Sequence, residues 1–363
     1  RSTTTAGEDA QGLTFRTPHT GTSPAGIAAR APARRPSPEP SVEDTVRRQC
    51  NRTRQMPKGT LPLAGYMLAR SVIGNPVEQE DVDRLLCANE AVRRTRNAFP
   101  FGRGNVDVDI GRTRLESTVR AAAAKTLLEE KLFTGTKVRV EDNENFYALC
   151  AMTGKVFGAG VCDNFAATAA FSYGRVAKDI GRPPGEEVRL VASRRQRHVW
   201  AEVSTPGTAR AIVMDAWAEG PAVLAEDSRF AADLKGKYAN SSLQIANAAE
   251  IGEWSDSASQ SMQALEDVNA RVEQAREKVI RTSGPTFARW SPKPVLRDTF
   301  TARAQGHLKP RDAWGMVPVE VQAAGVARLL GVERVRDRAA QAQEIVEAAR
   351  TLGNTDSGPS RHG

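Results

Sequence analysis

No apolar run in this 363-residue sequence approaches the ~18–20 residues that a membrane-spanning helix requires. A hydrophobic signal-peptide core near the start is also missing, so export by the general secretory route is not supported. Only four cysteines occur, at positions 50, 87, 150 and 162, and none has CxxC spacing. A disulfide scaffold is thereby excluded, a reducing compartment is the natural interpretation, and we expect neither a metal nor another cofactor.

Aromatic residues make up only 6% of the chain, although its net charge of +8 and its pI near 9.5 would suit a nucleic-acid partner. Much of the basic excess lies in the first 60 residues, where ten Lys and Arg oppose five Asp and Glu. Elsewhere the basic residues are interspersed with acids along apparent helices, which is typical of a solvated face. Because the chain also lacks a basic-aromatic platform, we do not expect specific binding of nucleic acid.

The order of helical, then strand-like, then helical patterns predicts an α+β fold. Residues 1–45 are rich in Pro, Ser, Thr and Gly and are predicted to be disordered. Residues 46–140 are predicted to form a helical subdomain. Residues 141–240 form the predicted catalytic core, 241–352 a C-terminal helical region, and 353–363 a disordered tail.

Periodic apolar residues mark the individual elements within these regions. Helices are predicted within 77–99, 114–133, 257–281, 317–330 and 332–352. Strand-like runs are Glu187–Ala192, Arg197–Val203 and Ala209–Trp217.

The second and third strand-like runs are joined through Pro206-Gly207, which suits the centre of a tight turn. A turn centred there places His198 directly opposite Asp215, within reach of a hydrogen bond from the imidazole to the carboxylate. The same register produces one apolar face and a second face on which His198, Trp200 and Trp217 line a site. A loop of three or five residues would shift the register and separate the pair.

Cys162 follows a Gly-rich stretch and precedes small and aromatic residues at helical spacing, so we expect it at a helix N-terminus. There the helix dipole and free N–H groups should lower the pKa of the thiol and supply part of an oxyanion hole. His198 would accept and return the proton, and Asp215 would orient the imidazole. These residues form a candidate catalytic triad, with the sulfur ~3–4.5 Å from a ring nitrogen of His198. Because such a site is polar, substitutions in it are expected to change the melting temperature little.

Each member also has a structural interpretation, since a cysteine before an alanine-rich helix is more often a buried thiol and a histidine on a strand is more often a core residue. The combination favours the triad. Two of the other histidines, His19 and His362, lie in ends predicted to be disordered, and His307 has no acid in register with it. Cys87 lies within a predicted helix and Cys150 in a Tyr-Ala-Leu-Cys-Ala-Met run, and both are predicted to be core residues.

Three segments stand out together: Gly160-Val-Cys-Asp-Asn-Phe-Ala166, Arg197-His-Val-Trp-Ala-Glu202 and Val213-Met-Asp-Ala-Trp217. Their order and spacing resemble the transglutaminase-like superfamily and, more specifically, the AvrPphE/HopX family of type III secreted effectors, called XopE in some plant pathogens. The resemblance implies a transglutaminase-like (papain-like) core in which a Cys-bearing helix packs on an antiparallel sheet. It implies a triad of Cys162, His198 and Asp215.

The same resemblance implies a protein that a bacterium delivers into a plant cell, where it acts in the cytoplasm, at the plasma membrane or in the nucleus. It makes residues 1–45 a secretion or targeting segment and residues 46–140 a candidate for target binding. A host protein is the expected substrate, and a type III secretion chaperone is a second candidate partner. The sequence begins with Arg1 and not with methionine. Membrane association is therefore expected only through an N-terminal lipidation site outside this sequence.

Two functions of different classes follow. The first is a cysteine enzyme that forms a thioester with a host protein and resolves it with water, as a protease or deamidase, or with an amine, as an acyl transferase; hydrolysis is favoured. The second is a non-catalytic protein that binds a host immune or signalling component through its helical regions. The second oxyanion donor of the enzyme stays open, with Asn143, Asn145 and Asn164 as candidates.

Overall fold

A computed structural model describes residues 56, 59–134, 143–182, 185–206, 210–265, 267–282, 286–308 and 317–354. These residues form a mixed α+β structure, as the element order in the sequence predicts. The predictions for residues 1–45, Cys50, Gly207 and the tail from 355 concern residues outside these ranges. None of the helices in the described ranges has the length and apolar character that a membrane crossing requires.

The α-helices are, in chain order, α1 (Leu61–Val72), α2 (Gln79–Ala98), α3 (Asp107–Arg112), α4 (Glu116–Thr134), α5 (Asn143–Phe157), α6 (Cys162–Asp179), α7 (Ile245–Leu265), α8 (Val268–Thr282), α9 (Asp298–Leu308), α10 (Val319–Leu329) and α11 (Val335–Arg350). The strands are β1 (Gly102–Arg103), β2 (Ala159–Gly160), β3 (Glu187–Ser193), β4 (His198–Ser204), β5 (Ile212–Met214), β6 (Val223–Leu224) and β7 (Lys237–Gln244).

Most of the predicted elements are confirmed, and two features differ. The apolar stripe over 257–281 is shared by two helices, because Asp267 interrupts them: its Oδ1 accepts the backbone N–H of Ala270 at 2.9 Å and caps the start of α8. Strand β7 lies where no strand is predicted. It pairs with β3 at the edge of the sheet and is mostly exposed, so it carries little of the apolar alternation that marks a strand.

The main sheet is antiparallel with strand order β6-β5-β4-β3-β7. In the pairing of β4 with β5, Ala201 lies opposite Met214 and Val203 opposite Ile212. The predicted register, with His198 directly opposite Asp215, is therefore wrong by two residues, because the connection is longer than a two-residue turn. A shift by two keeps every side chain on its predicted face. If the observed register is continued by one residue pair beyond Ala201 and Met214, Asp215 lies across from Trp200 and diagonal to His198.

One hydrophobic core joins the sheet to helices from both ends of the described chain. It contains buried residues of α1 and α2, of α6 and the sheet, and of α9, α10 and α11. A second, smaller cluster joins α4, α5 and α8. The predicted boundaries at 140 and 240 therefore do not separate independent cores.

Helix α6 lies at the centre of this arrangement and packs against α2, α5 and α7 and against strands β3 and β4. Small residues allow the close approach. A Cβ atom on Gly174 would lie 2.6 Å from the backbone nitrogen of Ala249 in α7, closer than atoms can pack. The sequence thus places a tightly held helix, which begins at Cys162, against the strand that begins at His198.

Candidate active site

Cys162 is the first residue of α6, as predicted. The chain enters the helix from strand β2 through Val161, which is still extended (φ −114°, ψ −173°). Asn164 stabilises the entry: its Oδ1 accepts the N–H of Val161 at 2.9 Å, and its Nδ2 donates to the carbonyl of Cys150 at 2.9 Å. The N–H of Cys162 itself has no hydrogen-bond partner in the described chain, as expected for the first turn of a helix.

Cys162 as a whole residue is partly exposed to solvent, unlike Cys87 and Cys150, which are buried as predicted; its sulfur is enclosed by protein. Its pKa is raised, first because burial disfavours the thiolate and second because the carboxylate of Asp163 lies nearby. Backbone N–H groups of Val199 and Asp163 oppose this shift. The expectation that the helix start lowers the thiol pKa is therefore wrong: desolvation and an acid at the next position outweigh it. Cys162 rests as a thiol.

His198, the first residue of β4, is hydrogen-bonded to Asp215, which directly follows β5. The distance from His198 Nε2 to Asp215 Oδ2 is 2.7 Å, and both residues are at most 3% exposed. The other carboxylate oxygen, Oδ1, accepts the N–H of Ala218 at 3.1 Å, so the carboxylate is held from both sides. Since a carboxylate accepts, Nε2 carries the proton and Nδ1 is the basic nitrogen. That nitrogen has no partner among the described residues.

The thiol and the imidazole are neighbours without a direct hydrogen bond. No bond joins Cys162 Sγ to either ring nitrogen of His198 within the described chain. Instead the backbone N–H of Val199, the residue after His198, interacts with the sulfur and favours its thiolate form. Such contacts commonly tighten only when substrate binds. The predicted sulfur-to-nitrogen distance stays a prediction.

Three aromatic rings enclose the imidazole. The ring centroids of Trp200, Trp217 and Phe230 lie 5.9, 4.8 and 4.2 Å from that of His198. The two tryptophans belong to the face predicted to line the site, whereas Phe230 carries no sequence signal, because it comes from a loop beyond β6. This burial corrects the expectation that substitutions leave the melting temperature unchanged. Removing the imidazole would leave a buried carboxylate without its partner.

Two arginines from the region before the site hold the segment that follows Asp215. Arg96 of α2 donates to the carbonyls of Ala216, Ala218 and Gly220 at 3.2, 2.7 and 2.7 Å. Arg103 of β1 donates to the carbonyl of Trp217 at 2.8 Å. Sequence reasoning found no chemical constellation in this region, because main-chain carbonyls as partners leave no trace in a sequence.

The asparagines considered as oxyanion donors are used elsewhere. Asn164 caps α6, as described above. Asn143 donates its amide to the carbonyl of Asn240 at 2.8 Å. Asn145 also has an interaction partner. All three asparagines thus already have interaction partners within the protein.

Asp163→Asn is expected to make Cys162 react faster with iodoacetamide. Removing the nearby carboxylate lowers the thiol pKa. At a pH below the pKa, each unit by which the pKa falls raises the thiolate fraction about tenfold, so we expect the alkylation rate at pH 8 to rise roughly threefold to tenfold. In the wild type, the rate should continue to rise with pH beyond the point where an ordinary thiol levels off. Alkylation followed by mass spectrometry measures both. Asp179→Asn, at the other end of α6, is the control and should change nothing; an unchanged or slower rate in Asp163→Asn would contradict the assignment.

Comparison of the chain with models of protein families, with curated proteins and with solved structures finds no match. Its chemistry must therefore be inferred from its own residues. Within the described ranges, no group of three or more His, Cys, Asp or Glu side chains is arranged to hold a metal ion.

Proposed function

We propose that this protein is a cysteine-dependent acyl-transfer enzyme with a transglutaminase-like core, in which Cys162 is the nucleophile. The observation that carries the proposal is the buried bond between His198 and Asp215 beside a partly exposed cysteine at a helix start. An enclosed imidazole with one nitrogen held by a carboxylate and the other free is the arrangement that a thiol needs as its base. A Cys-bearing helix packed against an antiparallel sheet is consistent with the implied core.

The proposed reaction begins with Cys162 as a thiol. As Sγ attacks the carbonyl carbon of the substrate, His198 Nδ1 takes the thiol proton, and the carbonyl π electrons move onto oxygen. When the tetrahedral intermediate collapses, the bond to the leaving group breaks, and His198 returns the proton to that group. A thioester remains. Water or an amine then attacks the thioester while His198 takes its proton, and collapse expels the sulfur, which regains that proton as a thiol.

Asp215 orients the ring and stabilises the imidazolium that forms in each step. The aromatic enclosure excludes water from the imidazole, which strengthens its bond to the carboxylate. The reaction is proteolysis if the leaving group is a peptide amine and deamidation if it is ammonia. If an amine rather than water reaches the thioester, the result is cross-linking. Hydrolysis of a host protein amide is the reaction that we favour.

The biological setting is a proposal that rests on the three motifs around Cys162, His198 and Asp215. Their resemblance to the AvrPphE/HopX family supports a type III secreted effector that modifies a protein in plant cells. The basic, Pro- and Ser-rich first residues are consistent with a secretion signal.

The deciding experiment asks whether Cys162 forms a thioester. Incubation with p-nitrophenyl acetate, an activated ester, should release nitrophenolate and add one acetyl group at Cys162, which peptide mapping by mass spectrometry would locate. Acetylation that is no faster at Cys162 than at Cys87 would refute the proposal. Incubation in plant extract, followed by identification of any protein trapped on Cys162, would then reveal the natural substrate.

Asp215→Asn is expected to lower the acylation rate by a factor on the order of 10⁴, because an amide can hold the imidazole in the wrong tautomer. The reaction should not be abolished, since the thiol and its helix start remain. Single-turnover release of nitrophenolate gives the rate. Asp298→Asn, at an exposed carboxylate, is the control. Equal rates in the two variants would exclude Asp215 from the reaction.

A further inference from the structure

The parallel pairing of β1 with β2 brings the segment that carries Asn105 close to the start of α6. In that pairing Arg103 is the partner of Gly160, and the N–H of Gly104 donates to the carbonyl of Gly160 at 2.8 Å. Val161 continues the extended conformation to the start of α6. Gly104, the neighbour of Asn105, is therefore bonded to a residue two positions before Cys162, which brings the segment that carries Asn105 close to the start of α6.

The backbone of Asn105 is anchored on two sides. A Cβ atom on Gly104 would lie 2.2 Å from the Cβ of Ala121, so α4 presses directly on this segment and only glycine fits. The hydroxyl of Thr118 donates to the carbonyl of Gly104 at 2.7 Å. On the other side, the carbonyl of Asn105 accepts the N–H of Trp290 at 2.9 Å. A side chain at position 105 is thus held on a rigid support.

The orientation of the Asn105 amide is determined by Trp217. The indole Nε1 of Trp217 donates to Asn105 Oδ1 at 3.0 Å. An indole N–H can only donate, so the oxygen of the amide faces Trp217 and Nδ2 faces away. Trp217 also packs on the imidazole of His198, with centroids 4.8 Å apart. The amide is therefore connected to the site through the ring that helps to enclose its base.

Nδ2 of Asn105 has no hydrogen-bond acceptor among the described residues, although Asn105 is only 7% exposed. The atom is not sealed from solvent. This N–H is therefore open to an acceptor from outside the described residues, which is water in the free protein. An oxygen of a bound substrate is another such acceptor.

We propose that Asn105 Nδ2 is the second donor of the oxyanion hole and acts together with the backbone N–H of Cys162; this inference rests on the proposed function. The two N–H groups donate to the oxygen that becomes negative as Sγ adds to the carbonyl carbon. They release it when the C=O bond re-forms. No bond of Asn105 is made or broken. A fixed donor in a site enclosed by protein stabilises this charge without reorganisation.

The test compares two reactions of the same thiol. Acetylation by p-nitrophenyl acetate passes through an oxyanion, whereas alkylation by iodoacetamide does not. Asn105→Ala should lower the acetylation rate about 100- to 1,000-fold, as loss of one such donor typically does, and leave the alkylation rate unchanged. Asn105→Asp keeps the acceptor for Trp217 and the size of the side chain but has no donor. For Asn105→Asp we compare the ratio of the acetylation rate to the alkylation rate, because both rates depend equally on the thiolate fraction. This ratio should fall by at least as much as it does in Asn105→Ala.

Asn89→Ala is the matched control, because Asn89 is also a buried asparagine but donates to the carbonyl of Gly59. It should retain the wild-type ratio. Wild-type acetylation in both Asn105 variants would overturn the inference and leave the proposed function standing. An equal loss of acetylation and alkylation in both would also overturn it, since Asn105 would then act only by positioning the thiol. A wild-type protein that is not acetylated at Cys162 would instead refute the proposed function itself.

Discussion

Cys162→Ala is expected to reduce acetylation to the uncatalysed rate, because no other group at the site can form the acyl intermediate. Removal of the base should have nearly the same effect, with a loss on the order of 10⁴–10⁶. We suggest His198→Gln for this purpose, since glutamine can still donate to the buried carboxylate of Asp215 and avoids leaving it unpaired. Single-turnover release of nitrophenolate measures each rate.

Losses within a catalytic unit are not additive. The double variant of Cys162→Ala and His198→Gln should therefore be no slower than Cys162→Ala alone. Cys87→Ala, at a buried thiol away from the site, is the control and should retain wild-type activity. Full activity of Cys162→Ala towards a host substrate would exclude the enzyme and favour the interaction protein.

The largest effect on stability is expected for Arg103→Met. Arg103 Nε donates to Asp109 Oδ2 at 2.7 Å and Nη2 to Glu219 Oε1 at 2.7 Å, and the arginine and Asp109 are both buried. Methionine fills similar space but leaves the carboxylate of Asp109 with only the more distant and exposed Arg112 as a cation. Breaking a buried pair in this way typically costs about 3–5 kcal/mol, which should lower the melting temperature by roughly 10 °C.

Arg112 provides a matched control for this prediction, because it lies 3.7 Å from the same carboxylate of Asp109 with its side chain 44% exposed. Arg112→Met should change the free energy of unfolding by no more than about 0.5 kcal/mol, as for other exposed ion pairs. Thermal and urea unfolding measure both variants. Equal effects would show that burial does not set the strength of these pairs. Arg103→Met should also slow acetylation, since Arg103 holds the carbonyl of Trp217.

Helices α2, α4, α8, α10 and α11 and the three central strands follow from the sequence because each carries its own periodic apolar pattern, whereas α1, α5 and α9 were not predicted individually. Cys162 at a helix start follows as well, from the glycines before it and the small residues after it. Strand β7 does not, since an exposed edge strand shows little alternation. The register of β4 with β5 was predicted wrongly because it depends on the length of a connection, and a turn motif alone does not determine that length.

The pKa of Cys162 shows a further limit. A helix start predicts a lowered pKa, yet the sum of desolvation, Asp163 and two N–H groups raises it. The sequence shows that Asp163 follows Cys162, but it does not predict how completely the folded protein excludes water from the sulfur. The proposed donor at position 105 could not be predicted from the sequence for a similar reason, because its partners Trp217 and Trp290 lie far along the chain.

The sequence by itself determined the residue types of the proposed triad, their order on a helix and two strands, and the face of the sheet on which His198 and Asp215 lie. Parity explains the last point: a shift of two residues changes partners but not faces. Only the tertiary structure decided which groups surround the triad. Phe230, Arg96, Arg103 and Asn105 reach it through contacts between segments distant in the chain, and such contacts depend on how the elements pack together rather than on the local pattern of any one of them.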